Sequence, residues 1–472
     1  MTSTASFEIV TPIDDPVATA AAWKSVVEQS VPVSSPSRKH HISLLSAFMM
    51  LTTWSTSSSN VLYPFTFGVL GVVGGPLLML AAFFVNWRCT RWTVEAARAS
   101  NSDTFGALGQ ALAGTKGRIM FEGSQILFQQ LFLPVAIVLC ASTVQSLDGG
   151  GHRSSGRLID CNGNVALLFT IISFGLVQVS RQLQHVTGIA YVSCALNVVM
   201  TCAIAFEVSL RAAPSSSNLT APAAVELFVG IGDHPARYHW ANVLGALGTF
   251  IYSCLPSCIV VETMAELSPV DRPKMKHAVD ASFVAYVSLY CVAGIPAVLS
   301  WGGDLPEPLH LGNTPAGVFV KLVLISGTGL DFVLASITVN RWAVRRVDPQ
   351  FDYSWTARNA QRWAFYCLPS SLLAISMALF VPRLESLTGL LNSLAGTTLQ
   401  VTATSLCLLI TTNDQVHALR KQEGGARRWR FAFTAAVGVL FTVAVFTSAV
   451  YNMATTQYVP GPGESFWCDL AG

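Results

Sequence analysis

Residues 52–64 read TTWSTSSSNVLYP and lie inside an apolar run that extends over about residues 42–66. A run of this length can cross the hydrocarbon core of a bilayer, which is about 30 Å thick. Its centre, however, holds Ser57, Ser58, Ser59 and Asn60, and Pro64 follows. Serine and asparagine side chains offer the backbone hydrogen bonds that compete with the helix. The stretch therefore predicts a membrane helix that is interrupted near its middle.

The composition is that of a polytopic membrane protein. Of the 472 residues, 52% are hydrophobic and 11% are charged, whereas soluble domains carry about 25% charged residues. The net charge is +2 and the basic residues are scattered, which argues against a nucleic-acid partner, because such a partner requires a clustered basic face. The cysteines form no CxxC pair, and the histidines lie in tails, loops and segment ends. We therefore expect no cofactor and no metal site.

Apolar stretches long enough to span the membrane occur eleven times, and in lipid each must form a helix. They lie at about 42–66, 69–95, 120–146, 164–181, 187–210, 240–264, 278–300, 314–340, 363–381, 386–411 and 431–453. If the N-terminus is cytoplasmic, 22 of the 28 Lys and Arg residues fall in the tail and loops on that side. This asymmetry predicts a cytoplasmic N-terminus and, with an odd number of helices, an outer C-terminus.

The same orientation divides the chain into three parts. We predict a disordered cytoplasmic tail over 1–41, a transmembrane domain over 42–453 and a short extracytoplasmic tail over 454–472. The sequon at Asn218 then lies outside, where it is a candidate glycosylation site. Cys161 and Cys468 also lie outside, either bonded to each other or as two free thiols.

A second interrupted span matches the first. Span six carries YSCLPS at residues 252–257, where Pro256 removes one backbone donor and disturbs the preceding turn. Spans one and six each open a set of five helices, as in transporters built from two inverted repeats with broken first helices. Alternatively, the serines bond back to the preceding turn and the proline only kinks its helix.

The ends of broken helices favour a ligand with two opposite charges. A half-helix N-terminus suits a carboxylate, and the carbonyls of a half-helix C-terminus suit an ammonium group or a small cation. An amino acid carries both groups. The candidate substrate-binding residues are Ser57, Ser58, Ser59, Asn60, Tyr252, Ser253, Cys254 and Ser257.

Three segments resemble the amino acid/auxin permease family of the amino acid–polyamine–organocation superfamily. NVLYPFTFGVLGVVGG at 60–75 is similar to the first-helix motif VLxLPYAFxxLGxxxG. TFIYSCLPSCIVVETMAEL at 249–267 resembles the sixth-helix pattern of an aromatic-rich break followed by a glutamate and a basic loop. LTGLLNSLAGTTL at 387–399 resembles the tenth-helix segment LxGLxGS.

The chain departs from that family's pattern at both breaks. Ser57 and Ser59 stand where the family usually has Gly-x-Gly, and Leu255, Pro256 and Ser257 replace the usual sixth-helix glycines and histidine. Since these positions remain small or backbone-breaking, the departures leave transport intact but leave the cargo open. Auxin carriers belong to the same family, so an aromatic acid is an alternative cargo.

The resemblance implies an all-α, LeuT-like fold of eleven transmembrane helices with a 5+5 inverted repeat and broken helices 1 and 6. It implies a secondary transporter that moves an amino acid by proton symport, and not an enzyme. One alternative is sodium coupling, in which the hydroxyls of Thr328 and Ser336 would help to bind the ion. Another is a nutrient sensor that does not transport. Besides the substrate and the coupled ion, we expect the protein to contact membrane lipid. We expect it in the plasma membrane or in a vacuolar or lysosomal membrane.

Single polar residues within the spans complete the prediction. Asp331 lies in the middle of span eight, and an ionisable residue at that depth is by default functional, so we interpret it as the ion-coupling residue; the alternative is a structural hydrogen bond to a neighbouring helix. Glu262 is a candidate inner gate or, alternatively, the partner of Lys274 or Lys276. We expect Lys321 to extend to the outer interface. Span three carries Glu122, Gln125, Gln129 and Gln130. The resemblance implies that polar residues of this helix face the site, but we expect at least two of them to form interhelical hydrogen bonds instead.

Overall fold

A computed structural model describes residues 41–56, 63–147, 162–180, 183–210, 240–253, 257–301, 314–380, 396, 398–411 and 427–455. Almost all of these residues are helical. Ser57 to Asn60, Cys161, Asn218, Cys254, Cys468 and the tail over 1–40 lie outside the described residues. The predictions made for them therefore stay predictions.

The described helices are, in chain order, α1 (Leu44–Thr56), α2 (Tyr63–Leu70), α3 (Gly74–Ala99), α4 (Phe105–Leu147), α5 (Asn162–Val179), α6 (Leu183–Leu210), α7 (Trp240–Tyr252), α8 (Ser257–Glu266), α9 (Met275–Trp301), α10 (Pro315–Val347), α11 (Ala357–Phe380), α12 (Thr404–Ile410) and α13 (Arg427–Thr455). A 3₁₀ turn, Arg272–Lys274, precedes α9, and a π-helical segment, Thr398–Ala403, precedes α12.

Six helical segments in the described part of the chain are long and apolar enough to cross a membrane by length and composition. They lie in α4, α6, α9, α10, α11 and α13. The helices of the first and sixth predicted spans are shorter, since each of these spans contributes two helices: α1 and α2 in one case, α7 and α8 in the other. The count of eleven spans stays a prediction.

Helices α4 and α10 form the centre of the bundle. They pack against each other more extensively than any other described pair. In the most apolar 18-residue stretch of each of these two helices 72% of the residues are buried, whereas in that of α13 28% are buried. One buried cluster runs from α1 to α13 through this centre. The two long helices are thus the frame against which the shorter ones are placed.

A tight turn precedes the third predicted span. Helix α4 begins at Phe105, its backbone leaves the helical conformation at Ala113 and Gly114, and the segment that holds the predicted span 120–146 follows this turn. Gly114 has a φ of +62°, a conformation that glycine adopts without strain. The chain turns there so tightly that Gly109 lies against the backbone of Gly117. The apolar pattern did not reveal this bend because it depends on glycine geometry.

Gly109→Ala should lower the midpoint of thermal unfolding of the purified protein. An added methyl would lie 2.3 Å from the carbonyl oxygen of Gly117, and overpacking of this kind costs about 1–3 kcal/mol. Gly123→Ala on the same helix is the control, because a methyl there meets nothing within 4 Å. Equal midpoints for the two variants would contradict the close contact.

Candidate functional site

The two pairs of short helices end on either side of the predicted substrate site. Helix α1 ends at Thr56 and α2 begins at Tyr63, while α7 ends at Tyr252 and α8 begins at Ser257. Of the eight predicted binding residues, Ser253 is the one whose side chain the structure describes. It is 1% exposed, and its hydroxyl donates to the carbonyl of Thr249.

The ends of α1 and α7 meet at the side chain of Tyr290 on α9. The Tyr290 hydroxyl donates to the carbonyl oxygen of Ser55, and it also lies 3.2 Å from the carbonyl oxygen of Ser253. Both carbonyls lie at helix C-termini, where the last four carbonyls lack a partner in their own helix. The structure therefore brings the first and sixth predicted spans together at the point where each is interrupted.

Aromatic rings form a wall around this meeting point. Tyr63, the first residue of α2, stacks on Tyr290 with ring centroids 3.7 Å apart and planes 7° apart. Phe250 on α7 packs against the ring of Tyr63, and Phe83 on α3 packs against the ring of Tyr290. Since Tyr63 and Tyr290 are both fully buried, the start of α2 is fixed relative to the ends of α1 and α7.

Phe67 extends this wall along α2. Its ring lies between Gly75 on α3 and Gly294 on α9, and a methyl at either glycine would lie within 3 Å of a ring atom. Only residues without a side chain allow α3 and α9 to approach the ring from both sides. The glycines thus set the depth of α2 in the bundle.

The last turn of α1 is also fixed to α6. Thr53 donates to the carbonyl of Ala190 at 3.1 Å, and the amide of Asn197 donates to the hydroxyl of Thr56 at 3.1 Å. These groups are buried, where hydrogen bonds are not weakened by competing water. The segment that precedes the predicted cradle is therefore held from two directions.

Helix α8 is tied to α4 by Gln125. Its amide nitrogen donates to the carbonyl of Cys258 at 2.8 Å and to the carboxylate of Glu262 at 2.9 Å. Gln130 donates to the carbonyl of Ser370 on α11, so the prediction of two interhelical hydrogen bonds is confirmed. Glu262 thus takes Gln125 as its partner, while Lys274 pairs with Asp271.

The arginine-rich end of the bundle, formed by Arg341, Arg345 and Arg346 on α10, is held together by carboxylates. Glu266 on α8 pairs with Arg341 at 3.7 Å. Glu122 on α4 pairs with Arg346 at 2.8 Å and accepts a hydrogen bond from the indole of Trp342. Three helices that belong to different spans are therefore closed against one another at this end.

The residues just before α1 also contact the arginine-rich end of the bundle. The amide of Ile42 donates to the carbonyl of Glu266 at 3.1 Å. Arg272, in the loop after α8, donates to the carbonyl of Ala265 at 2.7 Å and so caps the helix. In that loop, hydrogen bonds from Lys274 and Ser268 hold the pKa of Asp271 below its usual range. Both broken spans are thus connected at this end as well as at Tyr290.

Asp331 is a buried residue of α10. Its side chain is 1% exposed, and it is within electrostatic range of the thiols of Cys140 on α4 and Cys258 on α8. Thr328 and Ser336 on the same helix are fully buried. A charge on the predicted coupling residue would therefore be felt at both α4 and α8.

The prediction for Lys321 is wrong. The residue is 3% exposed, and its ammonium group donates to the carbonyl of Ser146, at the end of α4, at 2.7 Å. A helix C-terminus is a favourable place for a cation, so this carbonyl takes the position that interfacial water was expected to hold. Glu207 on α6 is also buried, and accepts a hydrogen bond from Thr314 at 2.7 Å.

Sequence reasoning missed Tyr290. Tyr286 and Tyr290 lie four residues apart on the seventh predicted span and share one helix face. Paired tyrosines on an otherwise apolar membrane helix signal hydroxyls that need partners. The pattern was present, but the partners of the Tyr290 hydroxyl are backbone carbonyls, which leave no trace in a sequence.

Comparison with known proteins agrees with this arrangement. A family model described as "Transmembrane amino acid transporter protein" matches residues 40–454. The chain belongs to this family. Among individually curated proteins no match was found.

A crystal structure of MhsT in complex with L-phenylalanine resembles the chain with a TM-score of 0.57 and 15% identity, over 87% of this chain and all of that one. At that identity the likeness shows the fold alone. This member of the family is thus an integral, multi-pass membrane protein with the helical fold of MhsT.

Glu266→Gln should loosen the arginine-rich end. Loss of the pair with Arg341, a contribution of at most about 1 kcal/mol, should raise the rate of amide deuterium exchange around Ile42 by roughly threefold. Exchange measured by mass spectrometry on the purified protein tests this.

Asp280→Asn is the matched control, since it removes the ion pair with Arg91 on α3 but leaves an oxygen for the indole of Trp87. Unchanged exchange at Ile42 in Glu266→Gln would contradict the role given to this pair.

Proposed function

We propose that the protein is a secondary active transporter that carries an amino acid together with a proton by alternating access. The observation that supports this most directly is the convergence of the α1 and α7 C-termini on Tyr290, beside the predicted cradle. In a chain of the amino acid transporter family, two converging helix C-termini, each with several carbonyls that lack a partner within their own helix, favour an ammonium group beside Tyr290.

The cradle is formed by Ser57, Ser58, Ser59 and Asn60 from span one and by Tyr252, Ser253, Cys254 and Ser257 from span six. The carboxylate of the amino acid binds at the N-terminal ends of α2 and α8, and its ammonium group at the C-terminal ends of α1 and α7. The phenylalanine bound by MhsT supports an amino acid as cargo. The aromatic wall around Tyr63 favours an apolar side chain over a charged one.

Asp331 carries the coupled proton. It is a buried carboxyl group within electrostatic range of Cys258 on α8, so a change in its charge alters the electrostatics at α8. Glu262 serves as an inner gate, because its bond to Gln125 joins α8 to α4 and must break when α8 moves. Sodium coupling through Thr328 and Ser336 is the alternative that the experiment below separates.

The architecture that accompanies this function has eleven spans in a 5+5 inverted repeat, with residues 1–41 in the cytoplasm and 454–472 outside. Asn218 then faces the side where glycosylation occurs. The pairs α1 with α2 and α7 with α8 occupy corresponding positions in the two repeats. Rocking of one set of helices against the other around this site gives alternating access.

Uptake of a labelled amino-acid panel into proteoliposomes, at two external pH values and with sodium or choline, tests the proposal. Wild-type protein should accumulate at least one amino acid faster at the lower external pH, irrespective of sodium. Asp331→Asn should abolish this pH dependence, because the amide cannot carry the proton.

Glu207→Gln is the control, since it removes another buried carboxylate, ten residues beyond Asn197 and so about 15 Å along α6 from the last residue that bonds α1. It should keep the pH dependence. Sodium-dependent uptake that ignores pH and survives Asp331→Asn would refute proton coupling. No uptake of any amino acid by correctly inserted protein would refute amino acid transport and favour an auxin-like cargo or a sensor.

A further inference from the structure

Tyr290 holds a position that the chemistry of the site would otherwise give to a cation. The C-terminus of a helix carries about half a negative charge, and two such ends, those of α1 and α7, turn a carbonyl toward the same point. Two converging carbonyl oxygens without a donor are the start of a site for a small, hard cation such as sodium, which binds oxygen ligands. Here the oxygens of Ser55 and Ser253 meet the hydroxyl of Tyr290 instead.

The hydroxyl is held in place by the packing of its ring. Tyr290 is fully buried, stacks on Tyr63 and has Phe83 at its edge. A stacked and buried ring has little freedom to turn, so the hydroxyl stays directed at the two carbonyls. A phenol has a single proton to donate, and the two acceptors therefore share it or exchange it.

One side chain thus touches the end of α1, the start of α2 and the end of α7. We propose that Tyr290 is a positioning residue that acts in place of a bound cation: its hydroxyl joins the broken ends of spans one and six, so the carbonyl pair needs no sodium ion. The inference rests on the proposed transport function only in its uptake measurement. Its stability measurement does not depend on transport.

Tyr290→Phe tests the joining role, because it removes the hydroxyl and keeps the ring. A hydrogen bond of this kind contributes about 0.5–1.5 kcal/mol, so the half-saturating concentration of the amino acid found to be transported should rise roughly three- to tenfold. The maximal rate should change less, since the ring and its packing remain. Tyr286→Phe is the matched control: it is equally buried, one turn away on the same helix, and packs on Phe83 and Phe283. It should leave the half-saturating concentration unchanged.

Tyr290→Ser tests the replacement of a cation. It keeps a small hydroxyl, opens space beside the two carbonyls and so creates room for an ion. Thermal unfolding of purified wild type, Tyr290→Phe and Tyr290→Ser would be compared in equal concentrations of sodium, lithium or choline chloride, without any amino acid. Sodium should raise the unfolding midpoint of Tyr290→Ser by about 2 °C relative to choline. It should leave wild type and Tyr290→Phe unchanged, because in both the ring fills the space.

Several results would overturn the inference. If Tyr290→Phe has the same half-saturating concentration as Tyr286→Phe, the hydroxyl does not position the site. If sodium stabilises wild type and Tyr290→Ser loses that effect, the tyrosine is part of a cation site and does not replace the ion. If sodium leaves Tyr290→Ser unchanged, or stabilises it no more than wild type, the carbonyl pair does not bind a cation when the tyrosine is absent. Failure of uptake in wild type, in contrast, refutes the transport function and leaves the stability comparison valid.

Discussion

Backbone carbonyls at the ends of interrupted helices are the constraint on which this structure depends. In lipid, a carbonyl without a donor costs several kcal/mol, so an interrupted helix is tolerated only where protein groups or a cavity satisfy its ends. Spans one and six each present such an end at Ser55 and Ser253. The hydroxyl of Tyr290 satisfies both, and the third element, α9, is thereby fixed against the two broken spans. The substrate site that we propose is next to these two ends.

Contacts among the other helices hold these ends in position. The α4 and α10 pair is the rigid centre, and it reaches α8 through Gln125 and Arg341. Bonds to the Glu266 carbonyl and carboxylate close the arginine-rich end around both α1 and α8. A transporter must break and remake such contacts in each cycle. That requirement favours ion pairs and single hydrogen bonds over a large apolar interface at this end, because each contributes only about 1 kcal/mol.

The features of the fold that depend on local composition were predictable from the sequence. Serines, asparagine and proline in the middle of apolar runs marked the two places where spans one and six become two helices each. Glutamines on span three predicted interhelical hydrogen bonds, which Gln125 and Gln130 form. The turn within α4 was not predicted, since it depends on the positive φ of Gly114, which the apolar pattern does not reveal.

Features that depend on the rotation of helices and on distant carbonyls were not predictable. The burial of Lys321 requires the carbonyl of Ser146, far away in the sequence. The role of Tyr290 requires that one particular face of α9 meet two helix ends at once. The apolar pattern of span seven indicates a membrane helix, but it does not say which turn of that helix faces which neighbour.

Protection of a cysteine at position 253 tests the central claim most directly, since that claim places the amino acid between the broken ends of spans one and six. In a background without the native cysteines, Ser253→Cys would be labelled with a small thiol reagent in proteoliposomes, and Ser354→Cys, in the exposed loop after α10, would serve as the control. The account predicts that the transported amino acid slows labelling at 253 and leaves labelling at 354 unchanged. Equal labelling at 253 with and without the amino acid, in a variant that still transports it, would contradict the account.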